Sequence, residues 1–285
     1  MNALKRNRGV LLTIWIVLLL FVGCSGKGDA ADDETIRVGI RSSELKTWEY
    51  MEEKASEEGL DIELVQFSSA YDPNDALNDG EIDANAFQHI AYLDTFNEKT
   101  GSDIVPIGTT IIAPLGIYSD EYTSVEEIPD GTQIAIPNDQ SSWGRALLLL
   151  QKANLITVVD DFDGIGGEDK VKDNPKNLDL IPVDGFQTPR SMEDTGVAVI
   201  VNGIAVEAGL TLQDAILHES ETAKPYINII AARSEDKDDE KLQRLVELYQ
   251  TESTKEFIEE TFGGNYLPTF ITLEELATYK ETYSN

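Results

Sequence analysis

The chain has 285 residues, 41% apolar and 26% charged, which is enough for two lobes of ordinary size and far from the composition of a disordered protein. Lys and Arg number 22 against 53 Asp and Glu, a formal net charge of -31; that balance argues against nucleic-acid binding and against electrostatic adhesion to an anionic bilayer. A single cysteine, Cys24, leaves no intrachain disulfide, and with only His89 and His218 beside it no Cys/His metal centre is expected.

Lys5, Arg6 and Arg8 precede an apolar run, Val10 to Val22, broken only by Thr13. It is short for a membrane span, which needs ~20 residues, and close to a signal-peptide core of ~7–15. The closing Phe21-Val22-Gly23-Cys24 resembles the lipobox of bacterial lipoproteins, although Phe21 stands where Leu is usual. Residues 1–23 are therefore predicted to be a signal peptide, with Cys24 lipidated and residues 24–35 a flexible, acidic, glycine-bearing tether. The alternative is an uncleaved anchor. Both place the remainder outside the cytoplasm, held at the membrane.

From Ile36 onward strands and helices alternate. Ile36 to Ile40 is a predicted strand, and Leu45 to Glu58 a helix with Leu45, Trp48, Met51 and Ala55 on one side. Ile62 to Phe67 is a second strand, Asp72-Pro73 starts a short helix, and Ile82 to Ala84 is a third strand. Asn85 to His89 is expected in the loop that leads into a helix ending near Gly101, and Ile104 to Thr110 is a further strand. The pattern predicts α/β lobes with mostly parallel sheets flanked by helices, with ligands beyond the carboxyl ends of the strands. Ala113 leads into a second lobe with strands at Gln133 to Ile136, Leu178 to Val183, Val197 to Val201 and Tyr226 to Ala232. Three C-terminal helices, beginning at Asp239, Thr254 and Leu273, are expected to return to the first lobe. The predicted division is 36–112 with 236–285 for lobe one and 113–235 for lobe two.

Asp83 to Leu93 offers Asn85, Phe87, Gln88, His89 and Tyr92, an aromatic platform with directional polar groups that suits a small ligand part apolar and part charged. The plainer alternative makes Phe87 core and His89 a helix-start residue with a backbone partner. Arg145 is expected in the first turn of a helix, where a guanidinium and free N–H groups can grip a carboxylate, or else pair with a local acid such as Asp139. Asn202, closing an apolar strand, can cap the next helix or accept from a ligand ammonium, and Asn228 lies similarly between Ile227 and Ile229. No nucleophile elbow and no phosphate loop occur, so no enzymatic activity and no cofactor are expected. Asp160, Asp161 and Asp163 lack the ordered spacing of a calcium loop and read as solvated.

Asp83-Ala84-Asn85-Ala86-Phe87-Gln88-His89 with Tyr92-Leu93-Asp94, Val125 through Asp139, Gly144 through Lys152, Asn174 through Leu178, Pro189-Arg190-Ser191 and Pro225-Tyr226-Ile227-Asn228 stand in one order along the chain. In these phrases the chain resembles the methionine-binding lipoproteins of bacterial ABC importers, the NlpA-type family, over nearly everything from Ile36 to about Gly264. The resemblance implies a two-lobed periplasmic-binding-protein fold, type II-like, with two crossover segments. It implies a monomer that holds methionine or a related amino acid in the cleft and hands it to a permease driven by an ATPase. It implies that Arg145 binds the ligand carboxylate, that Asn202 and Asn228 bind its amino and carboxylate groups, and that Phe87, His89 and Tyr92 line the side-chain pocket. Family members often carry an aromatic near Ala70 and at Ala113, and Asn at Ser142; Trp48, Trp143 or Tyr71 is expected to refill the pocket. A methionine-containing dipeptide, another apolar amino acid, or an adhesin role without transport remain the alternatives.

Overall fold

The computed structural model describes residues 35–68, 71–219 and 224–284. The predicted signal peptide, Cys24, the tether through residue 34 and Ala70 lie outside the described residues. The elements follow in chain order. They are β1 (Ile36–Ile40), α1 (Leu45–Glu57), β2 (Ile62–Gln66), α2 (Pro73–Asn78), β3 (Ala84–His89), α3 (Ile90–Thr100), β4 (Ile104–Ile112) and β5 (Gly116–Tyr118). Then come β6 (Gln133–Pro137), α4 (Gln140–Lys152), β7 (Thr157–Val158), β8 (Val171–Asp173), β9 (Asp179–Val183), α5 (Thr188–Thr195) and β10 (Val197–Ile200). The chain closes with α6 (Asn202–Glu207), β11 (Ala215–His218), β12 (Ile227–Arg233), α7 (Glu240–Tyr249), α8 (Glu252–Phe262), β13 (Leu267–Pro268) and α9 (Leu273–Ala277).

Two sheets carry the two lobes. The first has six strands in the order β13-β4-β12-β3-β1-β2, the second five in the order β11-β5-β10-β6-β9. Both are mixed in the same way. Strands β2, β1 and β3 run parallel, as do β9, β6 and β10. The pairings through β12, β4 and β13, and through β5 and β11, are antiparallel. The parallel strands need helical crossovers, which α1, α4 and α5 supply; the antiparallel ones are those beside the two passages between lobes.

The first passage runs between β4 and β5. The second ends before β12, which pairs with β3 and β4 in the first sheet, so residues 227–233, predicted for lobe two, join the sheet of lobe one. An apolar strand states that it is buried, not which sheet takes it, and only the pairing decided this. A second difference concerns Asn85 to His89, which form β3 rather than a loop. Their polar side chains hide the strand pattern because Asn85 and Gln88 are buried and satisfied by one another and by Asn74. Asn85 Nδ2 donates to Asn74 Oδ1 at 2.8 Å, Gln88 Nε2 donates to Asn85 Oδ1 at 3.0 Å, and Asn74 Nδ2 donates to Gln88 Oε1 at 2.7 Å. This amide cluster ties α2 to β3.

Helices α7 and α8 pack on the first lobe, setting Leu245, Tyr249 and Ile258 in one core with Val38, Met51 and Trp48. The second core gathers Leu115, Ile117, Ile134, Leu147, Leu150 and Val199. Replacing Asn74 by Ala leaves two buried amides short of partners, at a cost of about 1–3 kcal/mol each at most. Urea unfolding of Asn74→Ala is therefore expected to show a lowered midpoint with an unchanged denaturant slope.

Candidate functional site

The two lobes enclose a cavity of about 450 Å³. Lobe one brings Arg41, Glu44, Asp72, Phe87, His89, Tyr92 and Asn228 to it; lobe two brings Asp139, Ser142, Arg145, Phe186 and Glu207; the first passage between lobes contributes Ala113.

Arg145 lies in the second turn of α4, not the first, because the helix begins at Gln140 with Asp139 as its cap. Asp139 therefore serves backbone and hydroxyl donors, Ser142 N–H at 2.9 Å and Ser141 Oγ at 2.9 Å, and is not the partner of Arg145. That partner is Glu219. Arg145 Nε donates to its two oxygens at 2.9 and 3.0 Å, and Nη2 donates to the same carboxylate and to the Ala113 carbonyl at 2.9 Å. The guanidinium carbon sits 4.2 Å from the centre of the Tyr226 ring. With 2% of its surface exposed, Arg145 is a buried cation, and such a group persists only with this degree of pairing. Nη1 makes no hydrogen bond to any described residue, and the side chain borders the cavity. Gly144 makes the position possible: a Cβ there would meet the Gly164 carbonyl oxygen at 2.0 Å.

His89 ends β3 and caps α3, its Nδ1 accepting from Tyr92 N–H at 3.1 Å. Burial, and then the charge of Arg145, hold its pKa well below the usual histidine range, so the ring is neutral with its proton on Nε2. It is thus both helix cap and cavity wall, and its ring meets Tyr226 edge-on at 5.3 Å. Phe87 and Tyr92 pack edge to face at 5.9 Å. The Tyr92 hydroxyl donates to Asp72 Oδ2 at 2.5 Å, while Asp72 Oδ1 caps α2 through Asn74 N–H. Asn228 stands opposite His89 across the β3–β12 ladder. It is 8% exposed, borders the cavity, and its amide has no hydrogen bond among the described residues.

Three expected site residues sit elsewhere. Trp48 is 1% exposed in the first-lobe core, with the Tyr249 ring 5.5 Å away; its position on the apolar face of α1 is core by helical periodicity. Asn85 belongs to the amide cluster above. Asn202 neither lines the cavity nor caps α6: its Nδ2 donates to the Asn265 carbonyl at 3.0 Å, linking the lobes, and its buried Oδ1 has no hydrogen bond among the described residues. Tyr71 is exposed and stacks on Phe67, and Trp143 packs on Gly167 outside the cavity. Arg41, Glu44, Phe186, Glu207, Glu219 and Tyr226 escaped sequence reasoning. Only Tyr226 carried a signal, its place beside Asn228; the others are single polar or aromatic residues whose partners lie far along the chain.

Glu44 is the most perturbed acid at the cavity. Burial pushes its carboxyl up to about 8, against the lowering effect of hydrogen bonds from Ser43 and the Arg41 N–H, while Glu207 adds a further rise.

A double-sheet α/β molecule with two passages between its lobes and a polar cleft at their junction is a two-lobed periplasmic-binding-protein fold. The chain belongs to the NlpA lipoprotein family, whose sequence profile matches residues 36–270. The lipoprotein YhcJ of Bacillus subtilis (strain 168) is 38% identical over 273 residues, 95% of this chain and 97% of its own length. The D-methionine-binding lipoprotein MetQ of Escherichia coli (strain K12) is 39% identical over 251 residues, covering 86% of this chain and 92% of MetQ. A nutrient binding protein from Burkholderia cenocepacia, solved bound to methionine, superposes with a TM-score of 0.80 at 38% identity, over 82% of this chain and 100% of its own.

Arg145→Ala leaves Glu219 buried without its cation and is expected to destabilise the protein by about 3–5 kcal/mol in denaturant unfolding. Glu44 sets a pH dependence. The unfolded chain releases this proton near the ordinary 4.5 and the folded chain near 8. Stability therefore falls as pH rises between those values and is level outside them. Glu44→Gln removes the slope, so its melting temperature should exceed that of the parent most above about pH 8 and match it near pH 4.

Proposed function

We propose that this protein is the extracytoplasmic, lipid-anchored binding component of an ABC importer, holding methionine or a closely related amino acid between its lobes for delivery to a permease and its ATPase. The observation that carries the reading is Arg145, a cation buried at the cleft whose Nη1 has no partner among the described residues. An incoming carboxylate completes the guanidinium's hydrogen bonding in a desolvated site, where a charge-assisted bond is strongest. Asn228 offers its amide to the ligand's polar end, and Phe87 with Tyr92 forms the apolar wall for its side chain. The names of MetQ and of the methionine-bound relative support methionine as the ligand class. His89 has Nδ1 committed to the Tyr92 N–H, so the cleft's imidazole is not placed as a general base, consistent with binding rather than catalysis. A methionine-containing dipeptide is the second reading, favoured by Ala113, whose small side chain borders the cavity.

Mass spectrometry of small molecules released from the purified protein is expected to find methionine or its close analogue, and calorimetry to show that it binds. A preparation that binds no amino acid and no methionyl dipeptide overturns the reading. Arg145→Lys keeps the charge but cannot span Glu219, the Ala113 carbonyl and a ligand at once. Its affinity should fall by about 30-fold or more, the 2–5 kcal/mol typical of a broken buried charge pair. Cys24→Ser is expected to move the protein from the membrane fraction to the soluble fraction of fractionated cells.

A further inference from the structure

Arg41 follows β1 in lobe one, yet its guanidinium sits between two phenyl rings from different lobes. Its carbon lies 5.3 Å from the centre of Phe87, on β3, and 5.4 Å from the centre of Phe186, in the turn between β9 and α5 of lobe two. Both distances are within reach of cation–π attraction. The side chain is aimed by Nη1, which donates to the Ser68 carbonyl, while the Arg41 N–H donates to Glu44 Oε2 at 3.2 Å. Glu207 of lobe two also feels its charge. The lobes close in next to it: a Cβ on Gly203, in α6, would lie 2.9 Å from Ser43 Oγ. Arg41, Phe87, Phe186 and Gly203 or its neighbours all border the cavity.

We propose that Arg41 and Phe186 form an interlobe clasp that retains the ligand, with Arg41 a positioning residue for binding. This rests on the reading of the cleft as a small-molecule site. The ring of Phe87 faces the cavity and also seats the clasp, so the ligand wall and the closing contact share one side chain. A guanidinium held between two rings must leave at least one of them before the lobes can part. Its contribution therefore falls on the rate of ligand escape, with little effect on entry. Two sets of residues make the contact, so the energies of Arg41 and Phe186 are coupled and not additive.

The test measures methionine dissociation by stopped flow from the full chain and from Arg41→Ala, Phe186→Leu and the double variant. Each single change is expected to raise the dissociation rate about five- to tenfold, and the double change no more than the larger single one. Arg41→Lys, which keeps charge but loses the planar face, should fall between. Unchanged rates in both single variants, or additive effects in the double variant, overturn the proposal. A ligand-free arm separates this from the identity of the ligand. Spin labels at Glu63→Cys in lobe one and Asp130→Cys in lobe two, in a Cys24→Ser chain, report the interlobe distance. Adding Arg41→Ala is expected to shift the distance distribution to longer values, and a distribution equal to the parent's overturns the clasp even if no amino acid is bound. Gly203→Val, a steric wedge at the same seam, should produce the same shift.

Discussion

The position of one guanidinium ties together the two lobes, the passages between them and the cleft at their junction. Arg145 belongs to lobe two, but its partners are drawn from both passages between the lobes: the Ala113 carbonyl on the first, and Glu219 and Tyr226 on the second. Glu219 in turn accepts from Leu115 N–H at 2.8 Å, so the two passages are cross-linked by one carboxylate. A buried cation that lost these partners would face several kcal/mol of desolvation. The hinge and the charge therefore specify each other: the passages hold Arg145 at the cleft, and Arg145 holds the passages side by side.

That arrangement divides the polar groups around the cleft into two kinds. Some are committed to the fold. Asp72 and Asp139 cap helices, Asn85 closes an amide cluster, and Asn202 reaches across to Asn265. Others keep capacity toward the cavity: Arg145 through Nη1, Asn228 through its amide, and His89 through the nitrogen not used for capping α3. The second kind is what a ligand would complete, since buried polar groups without partners are the exception in folded proteins. The acidic residues at the cleft belong to neither kind so simply. Glu44 and Glu207 face each other from opposite lobes with Arg41 near both, and burial holds the carboxyl of Glu44 far above its usual range. Closing the lobes thus brings two acids together at the seam, where burial favours the protonated form of Glu44 and Arg41 lies near both.

Much of the architecture was legible along the chain. The apolar face of α1, the Asp72-Pro73 start of α2 and the strands from Ile36 and Gln133 follow from periodicity and capping chemistry, which are local. Residue type and neighbourhood also singled out Phe87, His89, Tyr92 and Arg145, which the fold brings to the border of one cavity. What escaped was non-local. Strand β3 was hidden because Asn85 and Gln88 break the apolar pattern and are satisfied by one another and by Asn74, more than ten residues away. Trp48 was offered to the cleft although its helical face buries it against Tyr249. Arg145 was placed one turn too early because Gln140, Ser141 and Ser142 look like a loop until Asp139 caps them.

The sequence by itself determined the class of the chain: an acidic α/β body of alternating strands and helices, with polar and aromatic residues of the kinds that border a small-molecule cleft. These depend on composition, on local periodicity and on short-range hydrogen bonding, which neighbours along the chain dictate. Only the tertiary structure decided that β12 joins the first sheet, that Glu219 rather than Asp139 neutralises Arg145, that Asn202 joins the lobes, and that Arg41 reaches between Phe87 and Phe186. Each of these is a pairing between groups tens of residues apart. One buried charge or strand edge accepts any of several chemically equivalent partners, and the packing of the two lobes selects among them.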